Sequence, residues 1–274
     1  VVHPEGVKAP AGPPVRVMVV GDSMAGSLGA ALAPEAPAYG VQIINEGHPG
    51  CAVTTDEEFR VLLYRAPPGA PCQTGQPTAL LDKWREWVDE YRPQVVIYLA
   101  RVDLVDQEFD GTFSSIDDPA FDAYFRSQLD AGVGVLSSRG AHVVLMTSPY
   151  YDSTLYSGGT VPEDAPQRVT MDDTILRQVA STRPDVTVFP LGSIVSPDGY
   201  QQDVDGVDIR CQDGVHLSSS AGEVVGPALL PELVRLGRAV HLTDVPLSTT
   251  STTPVPPPPP VPAWYHKLPC YGLF

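Results

Sequence analysis

The chain has 274 residues, 43% of them hydrophobic, and carries 33 acidic against 17 basic side chains for a formal net charge of −16. That length and apolar content suit one sizeable core with tails, and the acidic balance argues against binding to nucleic acid or to an anionic membrane, since both need basic patches. No apolar run reaches the roughly 18 residues of a membrane span, and the opening VVHPEGVKAP lacks the charged-then-apolar order of a signal peptide.

In chain order, VMVV (Val17 to Val20), bounded by Gly21, reads as a buried strand of a parallel sheet, and the small-residue run MAGSLGAALA as a helix packed close against it. Ser23 falls at the turn between them. GVQIINE, Gly40 to Glu46, reads as a second strand, followed by a long Pro- and Gly-rich loop. TALLDKWREWVDEY repeats Leu80, Leu81, Trp84, Val88 and Tyr91 at helical spacing, and Pro93 stops that helix before the strand QVVIYLA. A helix from about Pro119 to Ser138 buries Phe121, Phe125, Leu129 and Leu136, and the strand AHVVLMTS follows. RVTMDDTILRQVAST is the next helix and VTVFPL a short strand. Ser218 to Ala239 closes the series as a helix expected to bend at Pro227 or Pro231. Strands alternating with helices in this way predict an α/β fold, a three-layer α/β/α sandwich around a central parallel five-stranded sheet.

From about Val245 the composition changes to VPLSTTSTTPVPPPPPVP, an extended, polyproline-like linker. The expected organisation is an N-terminal extension over 1–14, the α/β domain over 15–243, the linker over 244–262 and an apolar tail over 263–274, either docked back on the domain or simply disordered. Cys51, Cys72, Cys211 and Cys270 form no CxxC pair and have no zinc-like spacing with histidine, so neither a metal nor another cofactor is expected. Two disulfides in an oxidising compartment are the reading preferred over four reduced thiols. Cys51 with Cys72 would bracket one loop and contribute roughly 3 kcal/mol, leaving Cys211 with Cys270. A Cys51 to Cys211 bond across the site, or no bond, are the alternatives.

A serine hydroxyl needs a general base, and the base needs an orienting group. At the turn itself Asp22 and Ser23 are also good helix caps. Far downstream, CQDGVHLSSSAG places Asp213 and His216 three residues apart just before the closing helix. That spacing lets the carboxylate take the imidazole Nδ1–H while Nε2 faces outward, and the loop belongs to the same carboxyl edge of the sheet as Ser23.

GDS after the first strand and DGVH before the last helix together resemble the first and last signature blocks of the SGNH (GDSL) hydrolase family, over about Val15 to Ala239. The resemblance implies the flavodoxin-like form of the fold, with Ser23 as nucleophile, His216 as base and Asp213 orienting it. It also implies that Gly50, in NEGHPG after the second strand, joins the Ser23 amide in an oxyanion hole. His48 beside it reads as a loop residue.

The third block departs from the family pattern: where members commonly carry an asparagine donor, ARVD places Val102. Either the hole works with two amides, or Arg101 supplies a contact to oxyanion or substrate, or the chain is a poor hydrolase; the alternative for Arg101 is a salt bridge to Asp103 or Asp106. This departure, the cysteine after Gly50 and the stretches RPQVVIYLARVD and DGVHLSSSAG resemble the extracytoplasmic SGNH domains fused to acyltransferase-3 membrane proteins, in their actinobacterial form. The implied partners are an acyl donor, a carbohydrate acceptor and a membrane domain in the same polypeptide, with an extracytoplasmic, cell-envelope location. The readings are a serine O-acyltransferase passing an acyl group, acetyl above all, to an envelope glycan; a secreted carbohydrate or lipid esterase with the same triad; and a catalytically weak glycan-binding domain. Tyr150, Tyr151 and Tyr156 are candidates for stacking on sugar rings, with loop packing as the alternative.

Overall fold

A computed structural model describes residues 12–54, 58–61, 64–67, 72 and 79–243. Five parallel strands form the central sheet: β1 (Val15–Gly21), β2 (Val41–Gly47), β5 (Val95–Leu99), β8 (His142–Met146) and β9 (Val186–Phe189). Their spatial order is β2-β1-β5-β8-β9. Successive side chains of a strand point to opposite faces, and β1 divides accordingly. Val15, Val17 and Val19 enter one core with α1 (Ser23–Leu32) and α7 (Ala221–Ala239). Met18 and Val20 enter the other, with α2 (Ala79–Tyr91), α3 (Pro119–Leu136) and α5 (Pro166–Ser181). Burial on both faces explains the nearly uninterrupted apolar runs of the inner strands β1, β5 and β8, while the edge strand β2 keeps Gln42, Asn45 and Glu46.

The helices keep the faces read from their spacing. In α2, Leu80, Trp84 and Val88 are buried, joined by Trp87, while Leu81 and Tyr91 are half-buried at the margin. In α3 the four expected residues are all buried. Truncating such a side chain to alanine typically costs about 2–5 kcal/mol. The closing helix α7 is continuous through Pro227 and Pro231. Both prolines are exposed and four residues apart, so the carbonyls they leave without intrahelical donors face water.

Elements without a strong sequence period complete the fold. Short strands β3 (Phe59–Val61), β4 (Tyr64–Ala66), β6 (Asp106–Phe109) and β7 (Thr112–Ser114) form a lateral antiparallel sheet in the order β4-β3-β6-β7. Helical turns α4 (Thr154–Ser157) and α6 (Leu191–Val195), and a small hairpin of β10 (Asp203–Val204) and β11 (Val207–Asp208), lie in the later loops. Cys51 and Cys72 are joined in a disulfide with Cα atoms 5.7 Å apart. No described cysteine is free; Cys270, the expected partner of Cys211, lies outside the described residues, as do the linker and tail. Among the described residues no helix is long and apolar enough to cross a membrane, and no cluster of side chains is suited to a metal ion.

The sheet order puts β1 beside β2 on one side and β5 on the other, so connections leave β1 and β5 towards opposite faces. Such a switch point opens a crevice at the carboxyl ends of the strands. The turns that follow β1, β2 and β5, and the loop before α7, carry the residues singled out in the sequence.

Candidate active site

The turn after β1 is built to present Ser23. Gly21 has φ 133°, and a Cβ there would lie 1.9 Å from the Leu99 carbonyl oxygen, so only glycine lets β1 turn this close to β5. Asp22 is the N-cap of α1, its Oδ1 accepting from the Met24 N–H at 2.8 Å. Capping therefore falls to Asp22, and Ser23 begins the helix with its amide free of any intrahelical acceptor. Asp22 Oδ2 accepts from the Val102 N–H at 2.8 Å, fastening the turn after β1 to the turn after β5. Burial pushes the Asp22 carboxyl up, partly offset by the Val102 and Met24 N–H groups and by the charges of His216 and Arg101.

His216 closes on Ser23 from the loop before α7. Its Nε2 lies 2.7 Å from Ser23 Oγ and its Nδ1 lies 2.7 Å from Asp213 Oδ2. A carboxylate can only accept, so Nδ1 carries the proton and a neutral ring leaves Nε2 to accept from the Ser23 hydroxyl. Asp213 Oδ1 accepts in turn from the Val215 and His216 N–H groups, at 2.8 and 3.0 Å. Burial pushes the Asp213 carboxyl up, yet the bond and charge of His216 and these two N–H donors outweigh it and hold the pKa at about 2. Asp213 is thus ionised and fixed.

Gly50 occupies the turn after β2. The His48 N–H donates to the Gly21 carbonyl at 2.9 Å and the Cys51 N–H to the His48 carbonyl at 3.1 Å. Gly50 has φ 71° in that turn, and the disulfide of Cys51 ties its far end. His48 stacks on Trp87 with ring centres 5.3 Å apart and pairs with Glu46 at 3.0 Å, a loop residue as read.

The turn after β5 is organised differently. Val102 is 7% exposed and its amide is committed to Asp22. Arg101 pairs with neither Asp103 nor Asp106. Its Nη2 donates to Asp164 Oδ1 at 2.8 Å and to Ser153 Oγ at 2.9 Å, with Glu163 at 3.7 Å. Asp103 Oδ2 instead accepts from the Tyr98 hydroxyl at 2.7 Å, and Asp106 pairs with Arg168 at 2.8 Å. Behind this turn, burial and the neighbouring Asp172 push Asp103 well above the usual carboxylate range. Asp172, on α5, is raised by burial to about 8, against the lowering effect of the Ser148 hydroxyl.

Of the candidate sugar-stacking tyrosines, Tyr151 is 4% exposed, its ring flanked by the guanidinium groups of Arg101 and Arg210 at 5.1 and 5.6 Å. It packs the loop. Tyr150 is half-buried against the core, and the Tyr156 side chain lies outside the described residues. Sequence reasoning did not anticipate the second bond of Asp22 or the buried Arg210. GDS signalled the first only as a cap, and nothing in DIRCQDG marks its arginine as interior.

The family model described as "SGNH domain (fused to AT3 domains)" matches residues 3–231. No curated protein matches the chain. Among solved structures, the chain resembles the periplasmic domain of a lipopolysaccharide acetyltransferase from Salmonella ser. Paratyphi A at TM-score 0.54 and 13% identity, covering 81% of this chain and 84% of that one. It also resembles a GDSL-like lipase from Bacteroides thetaiotaomicron VPI-5482 at TM-score 0.50 and 14% identity, over 80% of this chain and 88% of that one. At these identities the likeness is one of fold.

Proposed function

The chain belongs to the family of SGNH domains fused to AT3 domains, and on that premise we propose that it is a serine O-acyltransferase that passes an acyl group through Ser23 to a hydroxyl of a cell-envelope carbohydrate. The observation that carries this reading is the unbroken chain Ser23 Oγ, His216 Nε2, His216 Nδ1, Asp213 Oδ2, with two links of 2.7 Å. His216 takes the Ser23 proton as Oγ attacks the acyl carbonyl, and Asp213 stabilises the imidazolium. The Ser23 and Gly50 amides receive the developing oxyanion; each such donor typically contributes about 2.7–4 kcal/mol to transition-state binding. The imidazolium then returns its proton to the leaving group, and the acyl-serine remains. In the second half His216 activates the incoming hydroxyl by the same route.

Water and a sugar hydroxyl are chemically similar nucleophiles, so the triad serves either; the choice depends on which one the site positions. Transfer is favoured by the fusion that defines the family and by the named activity of the Salmonella domain of the same fold. The extracytoplasmic location fits the Cys51–Cys72 disulfide, since such bonds persist in oxidising compartments. In this reading the membrane partner delivers the acyl group, 15–243 is the working domain, and the linker and tail lie beyond it.

The test offers an activated acetyl ester together with cell-envelope oligosaccharides and follows acetate and acetylated sugar separately. Transfer predicts Ser23-dependent acetyl-sugar that rises with acceptor concentration at the expense of acetate. Acetate alone at every acceptor concentration would instead support the esterase reading, and ester turnover unchanged in Ser23→Ala would reject both.

A further inference from the structure

We infer that Arg210 is a positioning residue for His216, acting as a clamp on the one peptide group from which the imidazole springs. Arg210 is 1% exposed. Its Nη1 donates to the Val215 carbonyl at 2.7 Å, and its Nη2 donates to the Tyr150 carbonyl at 3.0 Å and to Ser196 Oγ at 3.2 Å. The Val215 carbonyl and the His216 N–H belong to the same planar peptide, whose C=O and N–H point in opposite directions. Arg210 holds the first, and Asp213 Oδ1 holds the second at 3.0 Å. One cation and one anion therefore fix both ends of the unit that sets the direction of the His216 Cα–Cβ bond.

The setting shows why an arginine occupies the position. Residues 209–218 form a tight hairpin closed by backbone bonds from the Cys211 N–H to the His216 carbonyl at 2.9 Å and from the Ser218 N–H to the Ile209 carbonyl at 3.0 Å. Arg210 stands at its base, opposite Leu217. From there one planar fork reaches the hairpin's own tip and the loop after β8 together, which a single ammonium cannot do. Its ring neighbours are Tyr151 and Tyr200, at 5.6 and 5.8 Å. The same loop is fastened a second time by the Asp152 N–H, which donates to the Gly214 carbonyl at 3.1 Å. The clamp thus joins the base-bearing hairpin to the loop after β8 and to Ser196 at the end of α6.

This inference rests on the proposed role of His216, and its test separates the two. Arg210→Met keeps the volume and loses the fork; Arg210→Lys keeps the charge and one donor. In Arg210→Met, kcat for an acetyl ester falls by about 10- to 100-fold, the scale of a misplacement near 1 Å, while KM stays within about twofold of wild type. The low-field proton resonance of the His216 Nδ1–H to Asp213 bond broadens or moves upfield, and Arg210→Lys recovers part of both signals. Should Arg210→Met fold poorly, Arg210→Lys alone decides, by a smaller change in kcat and resonance together. Unchanged kcat and an unchanged resonance in either folded variant would overturn the clamp. So would a loss of activity that vanishes once rates are expressed per folded molecule. If instead Ser23→Ala kept full turnover, the proposed function would fail, while the resonance would still report on the clamp.

Discussion

The two turns that meet across the crevice, one after β1 and one after β5, use their residues in opposite ways. On the β1 side polar atoms converge on the reacting centre: Asp22 caps the helix, Ser23 faces His216, and Asp213 is ionised behind it. On the β5 side they turn away from it. Val102 offers no side-chain donor, Arg101 is bound to Asp164 and Ser153, and Asp103 faces Tyr98 in an interior of raised pKa. The Val102 amide still bonds to Asp22, so the β5 turn keeps a bracing contact to the β1 turn while the Val102 side chain presents no donor.

The largest expected effects come from breaking the β1 side. Ser23→Ala lowers kcat for an acetyl ester on the order of a million-fold and Asp213→Asn about ten-thousand-fold. The double variant is little worse than Ser23→Ala, because the groups act as a unit. Steady-state kinetics with folding checked by circular dichroism reads both, and additive losses would deny that they work together.

On the β5 side the change runs the other way. Val102→Asn supplies the absent donor and raises the turnover of a simple acetyl ester by up to about a hundredfold, the low end of what one such donor is worth. A folded variant with unchanged kcat would show that two amides complete the hole.

The smallest effect sharpens the electrostatic contrast. Asp172, raised from 3.8 to about 8, is protonated in the folded state where the unfolded chain has released its proton, so its contribution to stability is full below pH 3.8 and is lost as pH rises towards 8. Asp213, lowered from 3.8 to about 2, stabilises above pH 3.8 and loses that contribution as pH falls through 2. Thermal melts of Asp172→Asn should gain on wild type progressively as pH rises from 4 towards 8, whereas Asp213→Asn should show no such gain. A Tm difference for Asp172→Asn that is flat across that range would contradict the buried, protonated carboxyl.

How much of this was legible beforehand follows from the physics of each element. The central strands β1, β5 and β8 were readable because a strand buried on both faces is a nearly unbroken apolar run, the edge strands β2 and β9 because short β-branched stretches fall between helices, and α2 and α3 because their buried residues recur at helical spacing. The lateral sheet was not, since FRV, YRA, DQEF and TFS are too short to show a period. Ser23, Asp213 and His216 could be proposed as a group from GDS and DGVH, and their hydrogen-bonded arrangement adds geometry to that reading. The partners of Arg101 could not, because Asp164 lies 63 residues away and is brought near only by packing. Arg210 was invisible because two of its acceptors are backbone carbonyls, which leave no mark on sequence, and the third, Ser196 Oγ, is brought near only by packing.

The most direct test of the central claim is to trap the acyl group. Protein mixed with an activated acetyl ester, quenched in acid within the first turnover and digested, should yield the Ser23-bearing peptide heavier by one acetyl group. Fragmentation should place that acetyl on Ser23, and it should be absent from Ser23→Ala and lost on incubation with acceptor. A wild-type burst of product with Ser23 unmodified, or an acetyl group that forms equally well in Ser23→Ala, would contradict the account.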